Sequence, residues 1–67
     1  MMRVWVVCEG ESNEGQAPES VHATLEGARK AALAIKPVFS GGWDEIEENY
    51  WENGCDVVRI ESFEVQS

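Results

Sequence analysis

Residues 43–54 read WDEIEENYWENG, and the conformation of this stretch decides the fold. Its first ten residues hold three large aromatics and five carboxylates without one positive charge. Trp43, Ile46 and Tyr50 recur at helical spacing. The spacing predicts a short helix over Trp43 to Glu52, with Ser40 to Gly42 leading in and Asn53-Gly54 as a left-handed cap. On such a helix the apolar side chains anchor one face, while Asp44, Glu45, Glu48 and Glu52 stand on the other as a ridge. Asp44 and Glu45 suit the first turn, where the helix dipole favours anions. Asp44–Glu48 and Glu48–Glu52 would be like-charge pairs at i,i+4, each costing about 0.2–0.5 kcal/mol. Glu52 would also meet the unfavourable end of the dipole. A ridge retained at that cost reads as a functional anionic surface, set against the plainer reading of a solvated helix face.

Outward from this stretch, RVWVVC (Arg3 to Cys8) is β-branched and aromatic on both parities, the pattern of a central strand covered on both sides. EGESNEGQAPE (Glu9 to Glu19) is polar and aperiodic and reads as a loop. SVHA (Ser20 to Ala23) reads as a short strand, with the start of a helix as the alternative. LEGARKAALAIK (Leu25 to Lys36) is a helix capped by Thr24 and stopped by Pro37, with Leu25, Ala28, Ala32 and Ile35 in one stripe. CDVVRIESFEV (Cys55 to Val65) is the last strand, and its change of apolar parity predicts a bulge near Glu61 and Ser62. The expected architecture is α+β: a small, mainly antiparallel three-stranded sheet in the order β-β-α-α-β, with helices packed on one face and residues 1–67 as a single small domain.

A chain of 67 residues has room for one small core and hardly for a substrate cavity as well, which argues against an enzyme. The net charge of −8 repels phosphate backbones and anionic membranes, so no direct nucleic-acid or membrane binding is expected. The acids are polarised along the chain. Glu9, Glu11, Glu14, Glu19 and Glu26 occupy a stretch without a base, as do Asp44, Glu45, Glu47, Glu48, Glu52 and Asp56. Arg29, Lys30 and Lys36 lie between them.

Other chemistries are poorly supported. Cys8 and Cys55 form no Cys-x-x-Cys pair and read as buried free thiols of a cytoplasmic protein, with a bridge between strands as the alternative. His22 beside Cys8 would lack a third orienting group. EGESNEG (Glu9 to Gly15) alternates oxygen ligands, but its glycine is out of register for a calcium loop. Two cysteines and one histidine make an incomplete zinc set. No cofactor or metal is expected. Trp5, Val7, Trp51 and Phe63 are either core residues or an apolar patch through which a homodimer would form.

In size, charge and the segment WDEIEENYWE, the chain resembles small acidic inhibitors encoded by phages and mobile elements, especially the anti-CRISPR proteins that act as DNA mimics. VHATLEGARKAA (Val21 to Ala32) also looks like the strand, Thr cap and Ala-rich helix of many small phage and bacterial proteins. The resemblance implies a non-enzymatic protein that occludes the basic DNA-binding surface of a CRISPR effector subunit. Asp44, Glu45, Glu47, Glu48 and Glu52, extended by Glu11 and Glu14, would meet that surface. The alternative is an acidic interaction module or homodimeric accessory protein that binds through its apolar sheet face.

Overall fold

The computed structural model describes residues 2–37 and 41–65. Among these, five strands and one helix follow in the order β1 (Met2–Glu11), β2 (Gly15–His22), α1 (Leu25–Ala34), β3 (Asp44–Glu47), β4 (Tyr50–Asn53) and β5 (Asp56–Val65). The strands form one antiparallel sheet in the order β2-β1-β5-β4-β3. The expected three-stranded sheet with two helices is therefore overturned.

The largest correction falls on the opening stretch. Trp43 to Glu52 is not a helix but most of a tight hairpin, β3 and β4 joined through Glu48 and Asn49. Burial alternates along β4, with Trp51 and Asn53 inside and Tyr50 and Glu52 half-buried, which is the period of a strand. Asn49 turns the chain at φ 62°, a left-handed conformation that asparagine tolerates better than most residues. Its side chain accepts from Arg29 at 2.7 Å, and its carbonyl accepts the Ile60 N–H at 3.0 Å. The like-charge pairs that would have weakened a helix are thus absent. Their cost was a physical argument against the helix itself. Of the assigned lead-in, Ser40 lies outside the described residues.

The supposed loop from Glu9 to Glu19 is also a hairpin. β1 continues to Glu11, and β2 begins at Gly15, whose φ of 86° closes the turn. A bulge interrupts the β1–β2 pairing between Val7 and Cys8. No bulge occurs near Glu61 and Ser62, because β5 pairs with β1 in unbroken register from Met2↔Val65 to Glu11↔Asp56. The parity change there has another cause. Val58 and Ile60 face the helix, and Phe63 and Val65 face the opposite side of the sheet.

α1 begins where the sequence places it, with the Thr24 hydroxyl accepting the Gly27 N–H at 3.0 Å. It ends at Ala34, two residues short of Lys36, because residues just before a proline are pushed out of the helical region. It lies across one face of the sheet, where Ala28 and Ala32 pack with Val7, Val58 and Trp51 in the core. Alanine brings the helix close to the strands, and each fully buried valine contributes about 1.5–3 kcal/mol. Trp5, Ile35, Trp43 and Ile60 surround this centre. β1 is central, but helix covers only one of its faces. Val4 and Val6 stand on the other face, and among the described residues no second layer of secondary structure lies over them.

Candidate functional site

Strand pairing brings the two acid-only stretches together. Glu11 lies opposite Asp56 across β1 and β5, and Asp56 lies opposite Asn53 of β4. The turn of the first hairpin is tied to the β4–β5 turn by the Ser12 N–H, which donates to the Cys55 carbonyl at 2.9 Å. Glu14 is held in its turn by its N–H on the Glu11 carbonyl at 3.3 Å, and the Gln16 amide donates to that same carbonyl at 3.0 Å. One row inward, Gly10, Val57, Glu52 and Asp44 cross the sheet in register. The turn end of the sheet thus carries Glu9, Glu11 and Asp56 on the helix side, Asp44 and Glu52 on the opposite side, and Glu14 in the turn between β1 and β2.

Gly10 is required at this end. A Cβ there would sit 2.2 Å from the Gly15 carbonyl oxygen and 2.7 Å from the Gln16 Cα, so the returning strand passes directly over it. An open depression of 410 Å³ lies along the hairpin, lined by Glu9 to Glu11 and Glu14 to Ala17. Burial raises the Glu9 carboxyl above its ordinary range, and the neighbouring carboxylates of Glu19 and Asp56 raise it further. The smaller part of that shift, from Glu19 and Asp56, marks acids of three strands lying near one another.

The predicted binding residues separate into distinct settings. Asp44 faces Glu52 directly across β3 and β4, and Glu52 accepts the Tyr50 hydroxyl at 3.1 Å. Glu11 and Glu14 occupy the first hairpin turn, beside Asp56. Glu45 turns to the helix side and pairs with Arg29 at 3.3 Å. The Arg29 hydrogen bond lowers the Glu45 carboxyl below its usual range, and the Asn49 N–H assists. Glu47 lies opposite Tyr50, and Glu48 is exposed in the hairpin turn. No helical ridge unites Glu45, Glu48 and Glu52. The sequence reading passed over Glu9, Glu19 and Asp56 as members of the site. Both acidic stretches were visible, but their meeting depends on the β1–β5 pairing.

The remaining candidates also find their places. Cys8 is buried, whereas Cys55 is exposed, which corrects the reading of two buried thiols; both are free. His22 lies opposite Trp5 and shares a 2.8 Å hydrogen bond with the Ser20 hydroxyl, while Cys8 lies farther along β1 opposite Pro18. The two are not a nucleophile–base pair. Among the described residues, no cluster of three or more His, Cys, Asp or Glu is arranged to hold a metal ion. No helix among them is long and apolar enough to cross a membrane. Of the four residues considered for an apolar patch, Val7 and Trp51 are core, Trp5 packs against it, and Phe63 is exposed.

Comparison with models of known families, with curated proteins and with solved structures finds no match to this chain. The functional reading therefore rests on the chain's own residues.

Proposed function

We propose that the protein is a non-catalytic binding module whose carboxylate-rich turn end engages a basic, nucleic-acid-binding protein surface and occludes it in the manner of a DNA mimic. The observation that carries this reading is the junction of the two acidic stretches, through Glu11 opposite Asp56 and the Ser12–Cys55 hydrogen bond. The resemblance to anti-CRISPR proteins supplies the target class, a CRISPR effector subunit. The binding set is Glu11, Glu14, Glu52 and Asp56, with Asp44 and Glu9 beside them. Glu45 is removed from it, because Arg29 already neutralises that carboxylate.

Occlusion requires no chemistry. A single exposed ion pair contributes about 0–1 kcal/mol, so affinity would come from the array acting together. Long-range attraction would speed association and fade with salt.

Capture from host lysate at low and at 0.5 M salt (where screening lengths fall to a few Å, roughly) tests the proposal. One bait is the wild type, and the other carries Glu11→Gln, Glu14→Gln, Glu52→Gln and Asp56→Asn. The expected result is capture of a nucleic-acid-binding protein by the wild type alone, lost in salt and competed by duplex DNA. Equal capture by both baits, or capture that duplex DNA does not displace, overturns the mimic.

A further inference from the structure

The sheet face opposite α1 is the least explained surface of the molecule. Register places Met2 beside Val65, Val4 beside Phe63, and Val6 beside Val21 on that face. Met2 is 63% exposed, Val21 62%, Phe63 47% and Val65 44%. Their exposed portions form a contiguous apolar patch on the order of 400 Å², within the size range that often marks an interaction site. We infer that this open face binds the same face of a second copy of the chain, in a twofold dimer with the strands of the two copies running antiparallel across the interface.

Three observations select a second copy. The first is charge. The patch lies at the end of the β1–β5 pair away from the acidic turns, since Met2↔Val65 closes one end of the ladder and Glu11↔Asp56 the other. Arg3 and Glu64 project to the helix side of the sheet, where they pair with each other, and Glu61, beside Val6 on the open face, is paired with Arg59. A neutral apolar surface has no electrostatic preference for a cationic or an anionic partner, and it faces no local repulsion from its own copy.

The second is geometry. A twofold axis lying in the interface and crossing the strands near Val4 and Phe63 sends the two acidic ends in opposite directions. The molecule is 41 Å in its longest dimension. The acidic ends then lie several screening lengths apart, each about 8 Å at physiological salt. Two chains of charge −8 can meet at this face without bringing their carboxylates together.

The third is area. A stable interface buries about 800 Å² per partner, with a core more apolar than its rim. The patch supplies about half of that, half-buried Val4 and Val6 supply a continuation, and the Arg59–Glu61 pair on the same face supplies a polar rim. Sheets stacked face to face at about 10 Å would interdigitate these side chains. The dimer gives β1 the second cover that its apolar parity calls for.

Sedimentation equilibrium of the full chain from about 1 to 200 μM, at 0.15 and 0.5 M salt, tests this. The wild type is expected to approach twice the 7.5 kDa chain mass, and to do so at lower concentration in high salt, because screening relieves residual repulsion. Phe63→Lys should raise the dissociation constant at least about tenfold while leaving the circular dichroism spectrum unchanged. Val21→Lys, on another strand of the same face, is the second variant should Phe63→Lys loosen the sheet. Leu33→Lys, on the exposed side of α1, should leave the dimer intact. The four-carboxylate variant should also still dimerise, which separates this inference from the function proposed for the turn end. A monomer throughout that range overturns the dimer. So does association that Leu33→Lys abolishes, or that both Phe63→Lys and Val21→Lys leave unchanged. A monomeric wild type whose capture of a host protein is lost in Phe63→Lys would assign the face to that protein instead.

Discussion

Two pairs of strands within this five-stranded sheet are stabilised in different ways. β1 and β5 pair over ten residues each without interruption and bury apolar side chains against α1 along the way. β3 and β4 have four residues each, and their register shifts between Glu45 and Glu47. A two-stranded hairpin is marginally stable at best in water. The outer hairpin persists because β4 also pairs with β5 from Tyr50 to Asn53 and because side chains anchor it. Trp51 enters the core at 2% exposure, Arg29 stands over its ring at 5.2 Å, and the Asn53 amide donates to the Gly42 carbonyl at 2.7 Å. Just before it, the Trp43 indole N–H donates to the Ile35 carbonyl at 2.7 Å and fixes the chain beyond the helix. The central pair is a ladder supported by packing. The outer hairpin is a set of anchors joined by a short ladder.

Removing the largest anchor is the severest way to break that contrast. Trp51→Ala should cost about 3–5 kcal/mol, the usual range for deleting a buried aromatic. A domain of this size has roughly 3–10 kcal/mol in total, so the variant should be largely unfolded. Val4→Ala, in the central pair but on the open face, should cost about 1 kcal/mol, near the average for point substitutions. Urea unfolding followed by circular dichroism compares the two. If Trp51→Ala proves no more costly than Val4→Ala, the hairpin does not depend on its anchor.

A finer test addresses the polar anchor. Arg29 donates to Asn49 at 2.7 Å and to Glu45 at 3.3 Å while stacking over Trp51. Arg29→Leu should cost about 1–2 kcal/mol, from a hydrogen bond and a cation–π contact at a partly exposed site. The loss should depend on pH. Glu45 has its carboxyl held below the ordinary 4.5 by the Arg29 hydrogen bond, so its contribution is present above that value and is lost as pH falls through the lowered one. The gap between wild type and variant should therefore narrow in acid. A gap that stays constant from pH 7 to pH 3 would assign the whole effect to packing on Trp51.

The same contrast explains which parts of the fold were legible in the sequence. The central elements announced themselves through local chemistry. Val4 to Val7 are strand formers on both parities, Thr24 is a helix cap, and Ala28 and Ala32 share a helical face. The outer hairpin carried a conflicting signal. Trp43, Ile46 and Tyr50 match helical spacing, yet Ile46 is 56% exposed and the buried residues are Trp51 and Asn53. An apolar count could not distinguish these cases, but the repulsion between Asp44 and Glu48 and between Glu48 and Glu52 on a helix could have done so. Glu9 to Glu19 was misread for a different reason. Its strand residues are polar because one hairpin arm forms the edge of the sheet, where charges and Pro18 discourage further pairing. The acidic site was half legible. Its residues were visible in two separate stretches, and only the pairing of Glu11 with Asp56 joins them.

The smallest expected effect lies at that junction and has the opposite pH sign. Glu9 has its carboxyl raised above 4.5, first by burial and then by Glu19 and Asp56. A raised carboxyl penalises the folded state only where it must ionise. The penalty is absent below about pH 4.5 and grows as pH rises through the raised value. Glu9→Gln should thus stabilise the protein at pH 7 by less than ~0.5 kcal/mol, the usual limit for substitutions near the surface, and by nothing at pH 4. Thermal unfolding of both proteins at the two pH values checks the sign. A destabilised variant at pH 7 would mean that the carboxylates do not oppose one another at the turn end. A stabilised one has a consequence for binding, because a cationic partner that relieves the same repulsion gains more from wild type than from Glu9→Gln. The part of that strain due to Glu19 and Asp56 and the attraction proposed for the partner would then share one origin, the strand pairing that brings these carboxylates to one end of the sheet.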